Sequence, residues 1–320
     1  MSYSTQQCRA ASRSSRALEF AQEKPAGIAD VRALPDPEFG EHWDAIIMSP
    51  VEKQRLLAQA ILNFRMRGVV PSAVLPLHGV ILLVGPPGTG KTSLAKGVAS
   101  RVAETLPDEQ FRFIEVDPHA LSSSSLGKSQ RAVTELFGTT IREHAAHGPL
   151  IVLLDEVETL VVDRGQLSLE ANPIDVHRAT DAALVQLDQF AAELHDVLFV
   201  ATSNFPRAID AAFVSRADLV LTVPVPTAEA RRTILRDTLT RLANEYPAMA
   251  ALAQSQKLAG VAIAAEGLDG RSLRKLVATA CTFELDTCLD PNQLTIEHLK
   301  LAAETASAEA KMIATAREEA

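Results

Sequence analysis

The feature that most constrains this chain is a glycine-rich loop that joins a short apolar run to a helical pattern. The run VILLV, Val80 to Val84, leads directly into GPPGTGKTS, which begins at Gly85. The pattern Gly-x-x-x-x-Gly-Lys-Thr is complete. Such a loop turns backbone N–H groups inward around a phosphate, next to the positive end of the following helix. The pattern in this context predicts the phosphate-binding (Walker A) loop of a nucleotide-binding α/β domain.

Two side chains of this loop have predicted contacts of their own. Lys91 is expected to reach the β- and γ-phosphates of the nucleotide, and Thr92 is expected to ligate Mg²⁺. ATP and Mg²⁺ are therefore the expected cofactors. The remaining candidates for nucleotide contact are the other loop residues, Gly85, Pro86, Pro87, Gly88, Thr89, Gly90 and Ser93.

Four more apolar runs predict a parallel sheet that is flanked by helices on both faces. Strands buried on both sides are continuously apolar rather than alternating, and helical patterns such as the one from Val176 to Ala191 fill the intervals. An α/β fold follows from this succession. The runs are FRFIEV (Phe111 to Val116), LIVLL (Leu150 to Leu154), VLFVA (Val197 to Ala201) and LVLTV (Leu219 to Val223).

Composition divides the chain into three parts. Residues 1–33 are rich in Ser, Arg and Ala without sustained apolar periodicity, so we expect a disordered N-terminal tail there. Residues 34–226 contain the apolar runs and are expected to form the large α/β domain. Residues 227–320 show helical patterns only, beginning with Thr227 as a predicted N-cap, and predict a small all-helical lid domain.

Charge and cysteine content narrow the class of protein. The formal net charge of −9 leaves no global positive field for the phosphates of DNA or RNA, so nucleic-acid binding is not expected. Cys8, Cys281 and Cys288 have neither metal-ligand nor disulfide spacing, which favours a cytoplasmic location. No run reaches the roughly eighteen apolar residues of a membrane span, so no membrane partner is expected. The serine- and arginine-rich N-terminal residues, which lack an acid up to Glu19, also have the composition of an organelle transit peptide.

Polar side chains follow two of the predicted strands. Asp155 and Glu156 come directly after LIVLL, and Asn204 ends the stretch VLFVATSN. Because the carboxyl ends of parallel strands meet at one edge of a sheet, we expect all three near the phosphate loop. Asp155 is predicted to hold Mg²⁺ through water, and Glu156 to polarise the water that attacks the γ-phosphate. Asn204 is a candidate to orient that water, although an asparagine after a strand is also an ordinary turn former.

Two arginines are candidates for contact with phosphates. Arg216, in FVSRAD, lies just ahead of the last predicted strand, a position from which it can project towards the nucleotide of a neighbouring subunit. Such a finger can raise the rate by roughly a thousandfold or more. Arg271, in GLDGRSLRKL, opens a helix of the predicted lid, where a guanidinium can meet the phosphates from the other side. Surface arginines are common, so the residues alone leave an ordinary solvent-exposed role open for both.

The series Walker A, DE, TSN, SRAD and a later GR at the start of a helix resembles that of the AAA+ ATPases, which typically work as hexameric rings. Longer stretches resemble the pachytene-checkpoint ATPase family, and the resemblance runs from about Leu34 to Lys275. It is specific because FVSRAD stands where most AAA+ proteins have a longer arginine-bearing stretch. The matching stretches are LPDPEFGEHWDAII, FIEVDPHALSSSSLGKSQRAVTELF, LIVLLDEVETLVVDR, DVHRATDAALVQLDQF, ATSNFPRAIDAAFVSRADLVLTV and GLDGRSLRKL.

The resemblance implies a role at each matching position. It implies that Ser125, Leu126 and Gly127 form a pore loop that grips a substrate polypeptide. Family members usually have an aromatic residue where this chain has Ser125, so the grip is expected to depend on Leu126, and a solvated serine-rich turn is the alternative. The other implied roles are nucleotide and Mg²⁺ binding for Lys91 and Thr92, the Walker B pair for Asp155 and Glu156, sensor 1 for Asn204, the arginine finger for Arg216 and sensor 2 for Arg271.

Members of this family remodel HORMA-domain proteins, and its bacterial members accompany cyclic-oligonucleotide anti-phage systems. The resemblance therefore implies a homo-hexameric ATPase that partly unfolds a HORMA-domain protein. In anti-phage signalling this would separate the HORMA protein from a nucleotidyltransferase, the cyclic-oligonucleotide synthase, and so restrain that enzyme. Eukaryotic members have a folded recognition domain ahead of the ATPase, so the low-order residues 1–33 favour the shorter bacterial-type architecture.

The motifs describe the motor and leave three other interpretations open. An AAA+ unfoldase for another protein client would have the same motifs. A nucleotide-gated DNA-binding module of the clamp-loader or helicase-loader kind is a second interpretation, against which the acidic charge balance counts. A degenerate ATPase that serves as a scaffold is a third, and the intact Lys91, Asp155, Glu156 and Arg216 disfavour it.

Overall fold

Six strands form one sheet in the computed structural model, which describes residues 27–121, 128–163 and 173–318. The strands are β1 (Ile28–Ala33), β2 (Val80–Val84), β3 (Arg112–Val116), β4 (Leu150–Leu154), β5 (Val197–Ser203) and β6 (Leu219–Thr222). Their order across the sheet is β1-β3-β4-β5-β2-β6. Strands β2 to β6 pair in parallel, which confirms the parallel sheet expected from the apolar runs.

Strand β1 corrects the expected start of the ordered chain. We expected residues 1–33 to form a disordered tail, but β1 pairs with β3 in antiparallel orientation, and Ile28 is buried. Its polar side chains contact one another, since Arg32 Nε donates a hydrogen bond to Asp30 Oδ2 at 2.7 Å. An edge strand with paired polar residues gives little apolar periodicity, which is why the sequence did not indicate it.

Helices cover both faces of the sheet, as expected. Alternate residues of β2 lie in opposite cores, with Val80, Leu82 and Val84 in one and Ile81 and Leu83 in the other. The core of Ile81 and Leu83 is covered by α1 (Pro37–Ala45), α2 (Pro50–Met66) and α3 (Lys91–Thr105). The opposite core is covered by α4 (Lys128–Glu135), a π-helix (Leu136–Ile141) and α5 (Pro173–Glu193).

The described residues after 227 form helices that are joined by short connections. Thr227 caps the first of these helices as predicted, because its Oγ1 accepts a hydrogen bond from Ala230 N at 3.3 Å. The apolar side chains of this region form a third core cluster, separate from the two beside the sheet. The helices are α6 (Ala228–Leu242), α7 (Met249–Gln254), α8 (Leu258–Ala264), α9 (Gly270–Cys281), α10 (Leu285–Leu289) and α11 (Ile296–Glu318).

Short helical segments lie between these elements. They are Pro118–Leu121, Arg142–Ala145, Val157–Thr159, Pro206–Ala208, Ala211–Val214 and Pro291–Gln293. Within the described ranges, none of the helices combines the length and the hydropathy that a membrane span requires.

Candidate nucleotide site

The phosphate loop joins β2 to α3 and is closely packed at both of its ends. Gly85 has a φ of +155° and Gly90 a φ of +93°, a region that L side chains rarely adopt. A Cβ on Gly85 would lie 2.2 Å from Val223 O, and one on Gly90 would lie 2.3 Å from Ile46 Cδ1. Gly85 therefore requires glycine both for its backbone conformation and for the space beside the Val223 carbonyl, and Gly90 requires it for its backbone conformation.

Lys91 begins α3, and its ammonium group lies inside the loop. Nζ donates hydrogen bonds to Gly85 O at 2.9 Å, to Pro86 O at 2.8 Å and to Asn204 Oδ1 at 2.7 Å. Burial lowers the pKa of this ammonium from its usual value, and nearby carboxylates, led by that of Glu158, oppose the shift. A buried cation thus lies at the start of a helix, where the anionic phosphates of a nucleotide would bind.

Asp155 follows β4, and its carboxylate faces the hydroxyl of Thr92. Thr92 Oγ1 donates to Asp155 Oδ1 at 2.9 Å and to Oδ2 at 3.1 Å, and Thr202 Oγ1 also donates to Asp155 Oδ1. Hydroxyl and carboxylate oxygens are ligands that Mg²⁺ prefers, and its sites usually combine few protein ligands with phosphates and water. The oxygens of Thr92 and Asp155 therefore fit a Mg²⁺ ion. Among the residues that the structure describes, three or more His, Cys, Asp or Glu side chains nowhere gather into a separate metal site.

Glu156 has a left-handed backbone conformation, with a φ of +50° and a ψ of +52°. In the described part of the chain it is the single residue other than glycine with a positive φ. Its N–H donates to Thr202 Oγ1 at 3.2 Å, and its Oε1 accepts from Asn204 Nδ2 at 3.2 Å. A residue in this region costs about 1–3 kcal/mol and persists where the surrounding structure holds it. The turn after β4 thus directs the Glu156 carboxylate towards the end of β5.

Asn204 lies at the end of β5 and links Lys91 to Glu156. Its Oδ1 accepts from the Lys91 ammonium and its Nδ2 donates to the Glu156 carboxylate, so the two partners determine which way the amide faces. The Asn204 N–H donates to Glu158 Oε1 at 3.0 Å. The ends of β2, β4 and β5 therefore meet at one connected group of hydrogen bonds.

Two residues that the sequence did not single out belong to this group. Thr202, which is 1% exposed, contacts both Asp155 and Glu156, and Glu158 accepts from the Asn204 backbone. A threonine in a strand usually signifies only β-propensity, because its branched side chain packs well there. The available signal was its place in the polar end TSN of an otherwise apolar strand.

A cleft of about 910 Å³ lies between the carboxyl ends of the strands and α9. Asp155, Glu156 and Asn204 line it together with the phosphate loop on one side, and Arg271 lines it on the other. Asp269 is the N-cap of α9, since its Oδ1 accepts from Arg271 N at 2.8 Å and from Ser272 N at 2.9 Å. The cap fixes the first turn of α9 at the edge of the cleft.

Arg216, another predicted site residue, does not line this cleft. Its Nε donates to Asp188 Oδ1 at 2.6 Å, its Nη2 donates to Asp188 Oδ2 at 2.7 Å, and its Nη1 donates to Ala212 O at 2.6 Å. The predicted pore loop, Ser125, Leu126 and Gly127, lies outside the described residues.

Comparisons with known proteins place the chain in a family. The family model described as "ATPase family associated with various cellular activities (AAA)" matches residues 81–225. The chain is 55% identical over 278 residues to CD-NTase-associated protein 6 of Pseudomonas aeruginosa, and the match covers 87% of this chain and 91% of that protein. It is 34% identical over 277 residues to the Arabidopsis thaliana pachytene checkpoint protein 2 homolog, with 76% of this chain and 59% of that protein covered. The chain belongs to the pachytene-checkpoint family of AAA+ ATPases.

Solved structures of related proteins share the fold of this chain. The structure of C. elegans PCH-2 matches with a TM-score of 0.69 at 27% identity, over 90% of this chain and 77% of that chain. A chain of the E. coli HORMA:CdnC:Trip13 complex matches with a TM-score of 0.66 over 88% of this chain and 95% of that chain, and its 19% identity shows the fold alone. The AAA+ fold with its C-terminal helical region is confirmed, and so is its assignment as an ATPase, which implies nucleotide binding.

Proposed function

We propose that this chain forms a homo-hexameric ring in the cytoplasm, where it uses ATP and Mg²⁺ to remodel a HORMA-domain protein. In this proposal the HORMA-domain protein activates a bound cyclic-oligonucleotide synthase. Partial unfolding of the HORMA-domain protein releases the synthase and so restrains anti-phage signalling. The observation that carries this proposal is the 55% identity to CD-NTase-associated protein 6 over 91% of its length. The fold shared with a chain of the HORMA:CdnC:Trip13 complex supports the choice of partner.

In this proposal the phosphate loop and Lys91 hold the β- and γ-phosphates, and Thr92 and Asp155 hold Mg²⁺. Mg²⁺ held by these residues would neutralise phosphate charge and make the γ-phosphorus a better electrophile. Glu156 accepts a proton from the water that attacks the γ-phosphorus, and Asn204 orients that water. The hydrogen bond from Asn204 Nδ2 to Glu156 Oε1 supports this division of roles.

Bound ATP can break the hydrogen bond between Lys91 and Asn204. An ammonium has three donors, and those of Lys91 already have three acceptors within the chain. A phosphate oxygen must therefore replace at least one of them. Two of the acceptors are backbone carbonyls of the loop itself. Replacing the Asn204 side chain by a phosphate oxygen therefore requires the least rearrangement. ATP binding then frees the Asn204 amide oxygen for water.

Arg216 acts on the nucleotide of the neighbouring subunit in this proposal. Its absence from the lining of its own cleft supports a role across a subunit boundary. The helical region from residue 227 onward serves as a lid, and Arg271 meets the phosphates from that side. Hydrolysis moves the lid against the sheet, and the loop of Ser125, Leu126 and Gly127 pulls the substrate polypeptide.

A substrate trap tests the proposed partner. The Glu156→Gln variant is expected to bind ATP without hydrolysing it, because the amide keeps an oxygen for Asn204 but has no basic carboxylate. Expressed in its host and isolated in ATP, it should retain a HORMA-domain protein, alone or with a nucleotidyltransferase, identified by mass spectrometry. Lys91→Ala, which removes the phosphate-binding ammonium, should retain neither. Capture of another protein client or of DNA, or of nothing, would reject the HORMA proposal and leave the ATPase assignment intact.

A further inference from the structure

We infer that Asp188 of α5 is a positioning residue for the arginine finger. Its carboxylate orients the Arg216 guanidinium so that one edge faces the nucleotide of the next subunit. The inference rests on the proposed role of Arg216, and it assigns Asp188 an effect that acts through Arg216 alone.

The two side chains form a paired, side-on contact. Both Asp188 oxygens accept from Arg216, one from Nε and the other from Nη2, at 2.6 and 2.7 Å. Paired contacts of this kind fix the plane of the guanidinium as well as its distance, unlike a single ion pair. The pair lowers the pKa of the Asp188 carboxyl and raises that of the Arg216 guanidinium, so both groups are charged at neutral pH.

Both anchoring points belong to packed elements. Asp188 lies next to Leu187, which is 1% exposed and belongs to the core beside the sheet. The third acceptor, Ala212 O, lies in the short helix Ala211–Val214, and Asp210 caps that helix by accepting from Ala212 N at 2.8 Å. Two firmly held elements therefore determine the direction of the guanidinium.

The contacts leave donors for a phosphate. A guanidinium has five N–H groups, and three of those of Arg216 are used within the described residues. Five minus three leaves two, one on Nη1 and one on Nη2. Phosphate oxygens accept from such a pair of terminal nitrogens in a bidentate manner. Contact with Asp188 and contact with a phosphate are therefore compatible, and this favours positioning over blocking.

Positioning has a kinetic consequence. An arginine side chain has several rotatable bonds, and their restriction before the phosphate arrives reduces the entropy lost in the transition state. A guanidinium that is free to rotate spends little time in the productive orientation. Loss of Asp188 should therefore lower kcat and leave the affinity of each subunit for its own ATP unchanged.

The first experiment compares steady-state ATP hydrolysis by full-length variants. Asp188→Asn should lower kcat about 10- to 100-fold, with KM for ATP within about twofold of wild type. Arg216→Ala should lower kcat about a thousandfold. Glu193→Gln is the matched control, because it breaks an exposed ion pair of the same helix, Arg142 with Glu193 at 2.7 Å. Its kcat should stay within about twofold of wild type.

The second experiment mixes variants within one ring. Glu156→Gln subunits have an inactive site and an intact finger, whereas Asp188→Asn subunits have an intact site and a mispositioned finger. In mixed rings an Asp188→Asn site can lie beside an intact finger, so the mixture should hydrolyse ATP faster than the weighted mean of the two separate variants. A merely structural defect in Asp188→Asn would not be rescued in this way.

The outcomes separate this inference from the proposed function. Wild-type or higher kcat in Asp188→Asn, or lower kcat without complementation in the mixture, would overturn the role of Asp188. Wild-type kcat in Arg216→Ala would instead overturn the finger on which the inference rests. Should Asp188→Asn fail to assemble, as judged by sedimentation and thermal melting, Asp188→Glu keeps the charge and takes its place. The longer side chain moves the carboxylate by one methylene and so should misplace the guanidinium and lower kcat. It should then complement in the mixture, and lower kcat without complementation would reject the inference.

Discussion

The backbone of Glu156 is strained at the point where we propose that water is activated. Its φ of +50° lies in the left-handed region, where a side chain with a Cβ is disfavoured and glycine is not. Functional residues often occupy such conformations, and the surrounding structure holds them there. For Glu156 that support comes from the hydrogen bonds of its N–H to Thr202 and of its carboxylate to Asn204.

Substitution at Glu156 separates the strain from the chemistry. Glu156→Gly and Glu156→Ala both remove the carboxylate, so both should lose ATP hydrolysis. Glycine also relieves the backbone, so the free energy of unfolding of Glu156→Gly should exceed that of Glu156→Ala by about 1 kcal/mol. Urea denaturation of the two variants measures this difference. Equal stability, or a more stable alanine variant, would contradict the assignment of strain.

At the scale of elements, Asp218 joins the beginnings of two neighbouring strands. It directly precedes β6, and its carboxylate accepts from the N–H groups of His78, Gly79 and Val80 at 2.8, 2.7 and 3.1 Å. Its own N–H donates to Val80 O at 2.7 Å. A charged acceptor for three backbone donors binds more strongly than a neutral one. Asp218 therefore holds the start of β2 against β6, two residues after Arg216.

Neutralising this carboxylate should be costly. Asp218→Asn removes the charge and one acceptor oxygen, so at least one partly buried N–H loses its partner, and we expect a loss of about 2 kcal/mol in the free energy of unfolding. Asp237→Asn is the control, because Asp237 forms an exposed ion pair with Arg236, and it should change stability by less than about 0.5 kcal/mol. The midpoints of urea denaturation give both values. Similar midpoints for the two variants would count against this role of Asp218.

At the scale of the whole molecule, α9 packs against the sheet-containing part of the chain. Arg274 Nη2 donates to Ala45 O at 2.8 Å, and Arg271 N lies 3.4 Å from Gly88 O of the phosphate loop. A Cβ on Gly88 would lie 2.3 Å from Asp269 Oδ1. The start of α9 and the phosphate loop are therefore in direct contact. A shift in the position of one alters the contacts of the other.

The nucleotide affinity should depend on this approach of α9. Arg271→Ala removes a cation from the lining of the cleft, and we expect Kd for ATP to rise about tenfold, which corresponds to about 1.4 kcal/mol. Arg236→Ala makes the same change of charge at an exposed position of α6 and should leave Kd within about twofold. Titration with a fluorescent ATP analogue measures both. An unchanged Kd in Arg271→Ala would remove Arg271 from the proposed site.

Local sequence determined the parts of this protein that depend on neighbouring residues. The glycines of the phosphate loop, the Lys91 and Thr92 that follow them, and five of the six strands were predicted from short patterns. Each of these patterns reports a local requirement: a backbone that can turn around a phosphate, or a strand that is apolar on both faces. The Asp155 and Glu156 pair was predicted because it directly follows such a strand.

Tertiary structure alone decided which distant segments meet. The pairing of β1 with β3, the contacts of Thr202 with Asp155 and Glu156, and the Asp188 contact with Arg216 join residues that are far apart in the chain. Apart from the polar end TSN that contains Thr202, these residues have no local pattern that differs from that of an ordinary edge strand or surface acid. Their partners are determined only when the sheet and helices bury their apolar surfaces against one another, because that packing sets which polar groups come within hydrogen-bond distance.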